Sequence, residues 1–160
     1  MRRVALCDFD VHHGNGSEDI LAGDERVLML STFQSPLYPY CGEEPRAGNI
    51  ISAPLAPYSD GEALRKAVKG MWLPALEQFR PQMIFVSAGF DAHRDDELSN
   101  LAWTDNDYAW VTRQVVLQAN RHADGRVVSV LEGGYDLLAL ARSVEQHIRE
   151  LLEVGAEGLE

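Results

Sequence analysis

Asp8, Asp10 and His12 alternate within Val4-Ala5-Leu6-Cys7-Asp8-Phe9-Asp10-Val11-His12-His13-Gly14-Asn15-Gly16. If this apolar stretch is extended, the three side chains project to one face. Two carboxylates and an imidazole on one side of a buried strand are costly unless a cation neutralises them. Asp-x-His spaces an oxygen and a nitrogen donor about 7 Å apart along a strand, at ~3.4 Å per residue, and both can converge on one ion. Asp91, in Gly89-Phe90-Asp91-Ala92-His93, supplies a third donor directly after a second apolar run. An Asp, His, Asp set with open positions is the arrangement expected of a catalytic zinc; carboxylate-rich sites also accept Fe2+ or Mn2+. Tyr135 follows Gly133 and Gly134, a turn that lets backbone and ring approach a ligand closely. Its hydroxyl can donate to a developing oxyanion. Two other readings of the opening stretch stay open. Aspartate-dependent phosphatases also place Asp-x-Asp after a first parallel strand, but carry Thr or Val four residues after the first Asp, where this chain has His12. A hydrogen-bonded cluster without metal is the second.

These residues need strands to hold them, and the chain supplies a regular series. After the opening strand, 17–22 reads as a short helix stopped by Gly23, and 26–33, apolar on both faces, as an interior parallel strand. Residues 35–57 form a Pro-, Gly- and Tyr-rich loop with a short strand at 49–55; long irregular loops are usually functional. Ser59-Asp60-Gly61-Glu62 has the form of a capping box. Leu64, Ala67, Val68, Met71, Trp72, Ala75, Leu76 and Phe79 then mark one helical face, with a kink at Pro74 and with Met71 and Trp72 in the core. A strand at 83–88, a helix from Thr104 to about Ala123, a strand at 126–131 and a final amphipathic helix from Asp136 to a stop at Gly155 complete the pattern. Alternation of this kind predicts one domain over 1–160, an α/β fold with a parallel sheet and helices on both faces. Ligands in such folds bind at the carboxyl ends of strands. Three strands end in chemistry there: Asp10 and His12, then Asp91, then Gly133-Gly134-Tyr135.

Composition narrows the partners. The 160 residues are 46% hydrophobic, and 14 basic against 25 acidic side chains give a net charge of −11. That balance argues against direct contact with nucleic acid or an anionic membrane. Cys7 and Cys41 cannot build a disulfide framework, which points to a reducing, cytoplasmic setting. No run approaches the 18 or more apolar residues of a spanning helix.

Asp8-Phe9-Asp10-Val11-His12-His13-Gly14-Asn15-Gly16, Ser87-Ala88-Gly89-Phe90-Asp91-Ala92-His93 and Glu132-Gly133-Gly134-Tyr135-Asp136, in this order, resemble the motifs of the zinc-dependent histone deacetylase family. They are nearer its class II and bacterial acetylpolyamine amidohydrolase branches. The resemblance implies an arginase-deacetylase fold, zinc on Asp10, His12 and Asp91, and Tyr135 polarising the acetyl carbonyl of an acetylated lysine or acetylpolyamine. It further implies K+ at Asp8 and Ser31, with Tyr38, Leu98, Gly133 and Gly134 along the substrate tunnel. Only the family's C-terminal half is matched. Its first half carries a His-His pair acting as general base and acid, which His13, His93, His122 and His147 do not reproduce. The isolated chain is therefore expected to be weak or inactive unless a complementary N-terminal chain joins it; a catalytically inactive metal-binding or interaction remnant is the alternative. The opening strand, deprived of earlier strands, is expected to leave one side unpaired and to drive self-association.

Overall fold

The structure, a computed structural model, describes residues 1–157, and side chains through 152. In order the elements are β1 (Val4–Asp8), α1 (Asn15–Leu21), β2 (Val27–Gln34), β3 (Ile50–Leu55), α2 (Gly61–Ala67), a π-helical turn (Val68–Trp72), α3 (Leu73–Phe79), β4 (Ile84–Ala88), α4 (Asp105–His122), β5 (Val127–Leu131) and α5 (Leu137–Glu157). All strands are parallel, in the order β3-β2-β1-β4-β5. The chain steps from β1 to β2 and β3 on one side, then crosses to β4 and β5 on the other. The reversal falls between β1 and β4, the position where open α/β sheets bind ligands.

Central position explains the double-sided apolarity of β1. It pairs with both β2 and β4, so the edges of the sheet fall at β3 and β5 and not at the opening strand. The physical reason is the crossover through α2 and α3, which carries the chain from β3 back past β2 and β1 before it returns to the sheet.

One face buries the main core. Ala5 and Cys7 of β1, Leu28 and Leu30 of β2, and Ile84, Val86 and Ala88 of β4 pack with Leu64, Val68, Trp72 and Leu76, and with Tyr108, Val111, Val115 and Ala119 of α4. Burying a side chain of the size of Leu or Phe contributes about 1.5–3 kcal/mol. Helix α1 serves the other face: its Glu18 bonds His13, whose ring packs on Phe33 of β2. Beyond α1 that face is thinly covered. Leu6, Phe85 and Val128 lie in register across it, followed by Asp8, Ser87 and Val130, and Val130 is 52% exposed.

Three local expectations change. Asp60, not Ser59, caps α2, its carboxylate accepting from the Glu62 and Ala63 N–H groups. The interruption near Pro74 takes the form of the π turn preceding it; the proline has no N–H for the turn behind it, and the wider turn absorbs the mismatch. The extra residue per turn rotates Met71 out of the core, to 39% exposure, while Trp72 stays 1% exposed. Helix α5 continues through Gly155 to Glu157, since a glycine lowers helix propensity without by itself ending a helix. No helix among the described residues is long and apolar enough to cross a membrane.

Candidate functional site

β1 ends at Asp8, and the chain then coils rather than running straight. The Asp8 Oδ1 accepts from the Asp10 N–H at 3.1 Å, and the Asp10 Oδ1 from the His12 N–H at 2.8 Å. Short acidic side chains capture nearby amides in this way and divert them from the sheet. The coil brings His12 Nδ1 to 3.1 Å from Asp10 Oδ1 and 3.2 Å from Asp91 Oδ2. The donors thus meet through a turn, not across the extended spacing of a strand. One donor atom from each of Asp10, His12 and Asp91 lies within 4.8 Å of the others.

Neighbouring backbone locks these carboxylates. Asp91 Oδ1 accepts from the Val11 N–H at 3.0 Å, and Asp10 Oδ2 from the Gly133 N–H at 2.8 Å. A Cβ at Gly89 would strike Asp10 Oδ2, and one at Gly133 would strike Asp91 Oδ2, so only glycine lets the β4 and β5 exits press against this donor set. Asp91 is fully buried and its Oδ2 has no hydrogen-bond partner; its approach to His12 is an ion-pair contact out of line for a hydrogen bond. Burial raises the Asp91 carboxyl. The Asp10 and Asp91 carboxylates beside it push the His12 imidazole up to about 10 against its burial. Two carboxylates holding a proton on an imidazole mark a place where positive charge is demanded, and an orphaned buried oxygen beside it fits a metal ion bound to the neutral ring.

The remaining predicted residues fall at varied distances from this centre. Tyr135 sits at the exit of β5, 59% exposed. Desolvation and the charges of Asp91, Asp10 and Asp96 raise its phenol, keeping it a hydroxyl and a donor. The Tyr38 ring stands edge-on to His12 with centroids 6.3 Å apart; Leu98 is exposed on the loop after Asp91. Gly134 holds φ +137°, open to glycine, and a Cβ there would meet Leu140 and Phe90. Asp8 and Ser31 are buried register partners on β1 and β2. Burial, then the Asp10 charge, raises Asp8.

Each remaining histidine has partners elsewhere. His13 bonds Glu18 at 2.7 Å, His93 pairs with Asp105 at 3.1 Å, His122 with Glu77 at 3.2 Å, and His147 lies between Thr112 and Ser129. Sequence reasoning missed Gly89 and also Asp96, a buried carboxylate bonded to the Leu98, Tyr135 and Asp136 amides. Gly89 carries a signal, a glycine two residues before a predicted donor; Asp96 carries little, because two of its three partners, the Tyr135 and Asp136 amides, are distant in the chain.

Comparison with known proteins adds relatives to this geometry. A sequence model of the histone deacetylase domain matches residues 1–151. A probable deacetylase of Archaeoglobus fulgidus is 40% identical over 141 residues, covering 84% of this chain and 39% of that protein. The histone deacetylase-like amidohydrolase of Pseudomonas aeruginosa is 39% identical over 142 residues, 84% of this chain and 37% of that protein. The crystal structure of an acetylpolyamine aminohydrolase from Burkholderia pseudomallei superposes with a TM-score of 0.82 at 28% identity, covering 94% of this chain and 45% of that one. The chain thus spans less than half the length of these relatives.

Proposed function

The chain belongs to the histone deacetylase family, and from that membership we propose that it is the metal-holding part of a zinc-dependent amidohydrolase acting on acetylated lysine or an acetylated amine such as an acetylpolyamine. The observation that carries the reading is the buried, partnerless Asp91 Oδ2 facing His12 Nδ1 and Asp10. Asp10, His12 and Asp91 would hold the ion, zinc first and Fe2+ or Mn2+ as substitutes. Bound there, the metal supplies Lewis-acid chemistry that polarises a carbonyl and makes water nucleophilic near neutral pH.

The chain's own residues do the rest of what it can do. Tyr135 donates its hydroxyl to the acyl oxygen as negative charge develops. Tyr38 and Leu98 flank the acyl chain on its way in, and Gly133 and Gly134 keep the turn thin enough to admit it. Asp8 and Ser31 offer a K+ site, which would offset the cost of burying Asp8. Protonation of the leaving amine needs a positioned acid, worth typically 10²- to 10⁴-fold, and the partnered histidines of this chain do not provide one. A complementary N-terminal polypeptide bearing a His-His pair would. The open edge of β5 and the thinly covered face beside it support such an association. The same lack of an acid favours a second reading, an inactive metal-binding remnant. Cys7 and Cys41 are both unpaired, consistent with a reducing, cytoplasmic setting.

Metal analysis after dialysis should find close to one bound ion per wild-type chain and a marked loss in Asp91→Ala; equal content would reject Asp91 as a ligand. Hydrolysis of an acetyl-lysine peptide should be weak for the chain alone and recover with a His-His-bearing half. A rate of roughly 1 s⁻¹ or more for the chain alone, abolished in Tyr135→Phe, would overturn the divided-site reading.

A further inference from the structure

Among the described residues the exposed ring of Tyr135 makes no side-chain hydrogen bond, so its place is set through its backbone. Its N–H is held by the Asp96 carboxylate. Asp96, 5% exposed, points Oδ2 at the Tyr135 N–H, 2.7 Å, and the Asp136 N–H, 3.1 Å, while its Oδ1 accepts from the Leu98 N–H at 3.0 Å. The loop that carries Asp96 leaves the proposed ligand Asp91 and is tied back to it. Its own N–H donates to the His93 carbonyl at 2.9 Å, and the Ser99 hydroxyl donates to the Asp91 carbonyl at 2.7 Å. His93 in turn is pinned to Asp105 at the start of α4. A carboxylate accepting several amides makes charge-assisted bonds, stronger and shorter than neutral ones.

We propose that Asp96 is a positioning residue that sets both Tyr135 and Leu98 relative to the ligand Asp91. Without it the turn keeps the Glu132 bond to Ala88 and the Gly133 bonds to Asp10 and Phe90, all on the near side of Gly134, and Tyr135, one residue beyond that glycine, loses its register with the centre. A displacement of about 1 Å at such a group can cost 10²-fold. The inference rests on the reading of Tyr135 as the carbonyl-polarising hydroxyl.

The test uses Asp96→Asn in the zinc-loaded chain. Amide hydrogen exchange at Leu98, Tyr135 and Asp136 should rise by about tenfold or more, with β1 and α4 unchanged; unaltered exchange overturns the proposal. Affinity for acetohydroxamate, a carbonyl probe that chelates metal, supplies a readout that a merely structural role would not move. It should fall by a similar factor in Asp96→Asn and in Tyr135→Phe, with no further loss in the double variant. A loss in Tyr135→Phe but not in Asp96→Asn overturns the positioning role and leaves the proposed function standing. No loss in Tyr135→Phe sinks the reading of Tyr135 and this inference with it. Should Asp96→Asn fail to fold, the wild type decides: Tyr135 and Asp136 amides exchanging as fast as free peptide would show that Asp96 does not hold them.

Discussion

His147 shows what a single side chain contributes once its partners are known. Thr112 gives its hydroxyl hydrogen to the Tyr108 carbonyl at 2.7 Å. It can therefore only accept from His147 Nδ1, also at 2.7 Å, leaving Nε2 to accept from the Ser129 hydroxyl at 2.8 Å. The ring is neutral, wedged beside Phe9 and Phe90, and burial lowers it to about 4. An unfolded histidine titrates near ~6.5. Between these values the unfolded chain binds a proton that the folded chain refuses, so this contribution is fully present above about 6.5 and drains away as the pH falls toward about 4. We expect the stability gap between wild type and His147→Phe, measured by urea unfolding, to narrow by about 2 kcal/mol from pH 7 to pH 5; a constant gap would refute the assignment. At this scale residue type sufficed to pick out Asp10, His12 and Asp91 as donors that meet, whereas the extended spacing expected for the first two gives way to a turn. The sequence was silent for His147 and Asp96, whose meaning comes from partners 18 to 40 positions away.

Elements were easier to read than their joints. Apolar runs of five or six residues and heptad-like spacing mark strands and helices whatever surrounds them, and the series from β1 to α5 follows them. The joints depend on details that spacing does not encode. The coil after Asp8 exists because two carboxylates take amides that a strand would have used, and the π turn exists because Pro74 sits where a regular helix needs an N–H. That turn separates two neighbours that helical periodicity had grouped together. Trp72→Ala should cost about 3–5 kcal/mol and Met71→Ala under about 1 kcal/mol, both read from denaturant midpoints. Similar costs for the two would mean that the helix is regular through this segment.

For the whole molecule, the parallel α/β architecture followed from alternation, whereas the strand order did not, because nothing local says which side of β1 receives β4. That order matters most for the open side of the sheet. Val128, Val130 and Leu131 make β5 an exposed apolar edge, and such edges pair with other chains. In the absence of a complementary polypeptide, sedimentation should show reversible self-association that Val130→Lys weakens. A wild-type monomer across a wide concentration range would contradict it.

The bonds around the proposed metal ligands also sew the sheet together. Asp10 reaches the exit of β5 through Gly133, and Asp91 reaches back to Val11 beyond β1, so each acid proposed to hold the ion is also a stitch across a seam between strands. Truncating either one empties the site and opens the seam in the same stroke, and the two losses would be mistaken for one. Asp10→Asn and Asp91→Asn keep an oxygen for the stitch while removing the charge that attracts the ion, and so separate a chain that cannot bind metal from a chain that cannot hold its edge.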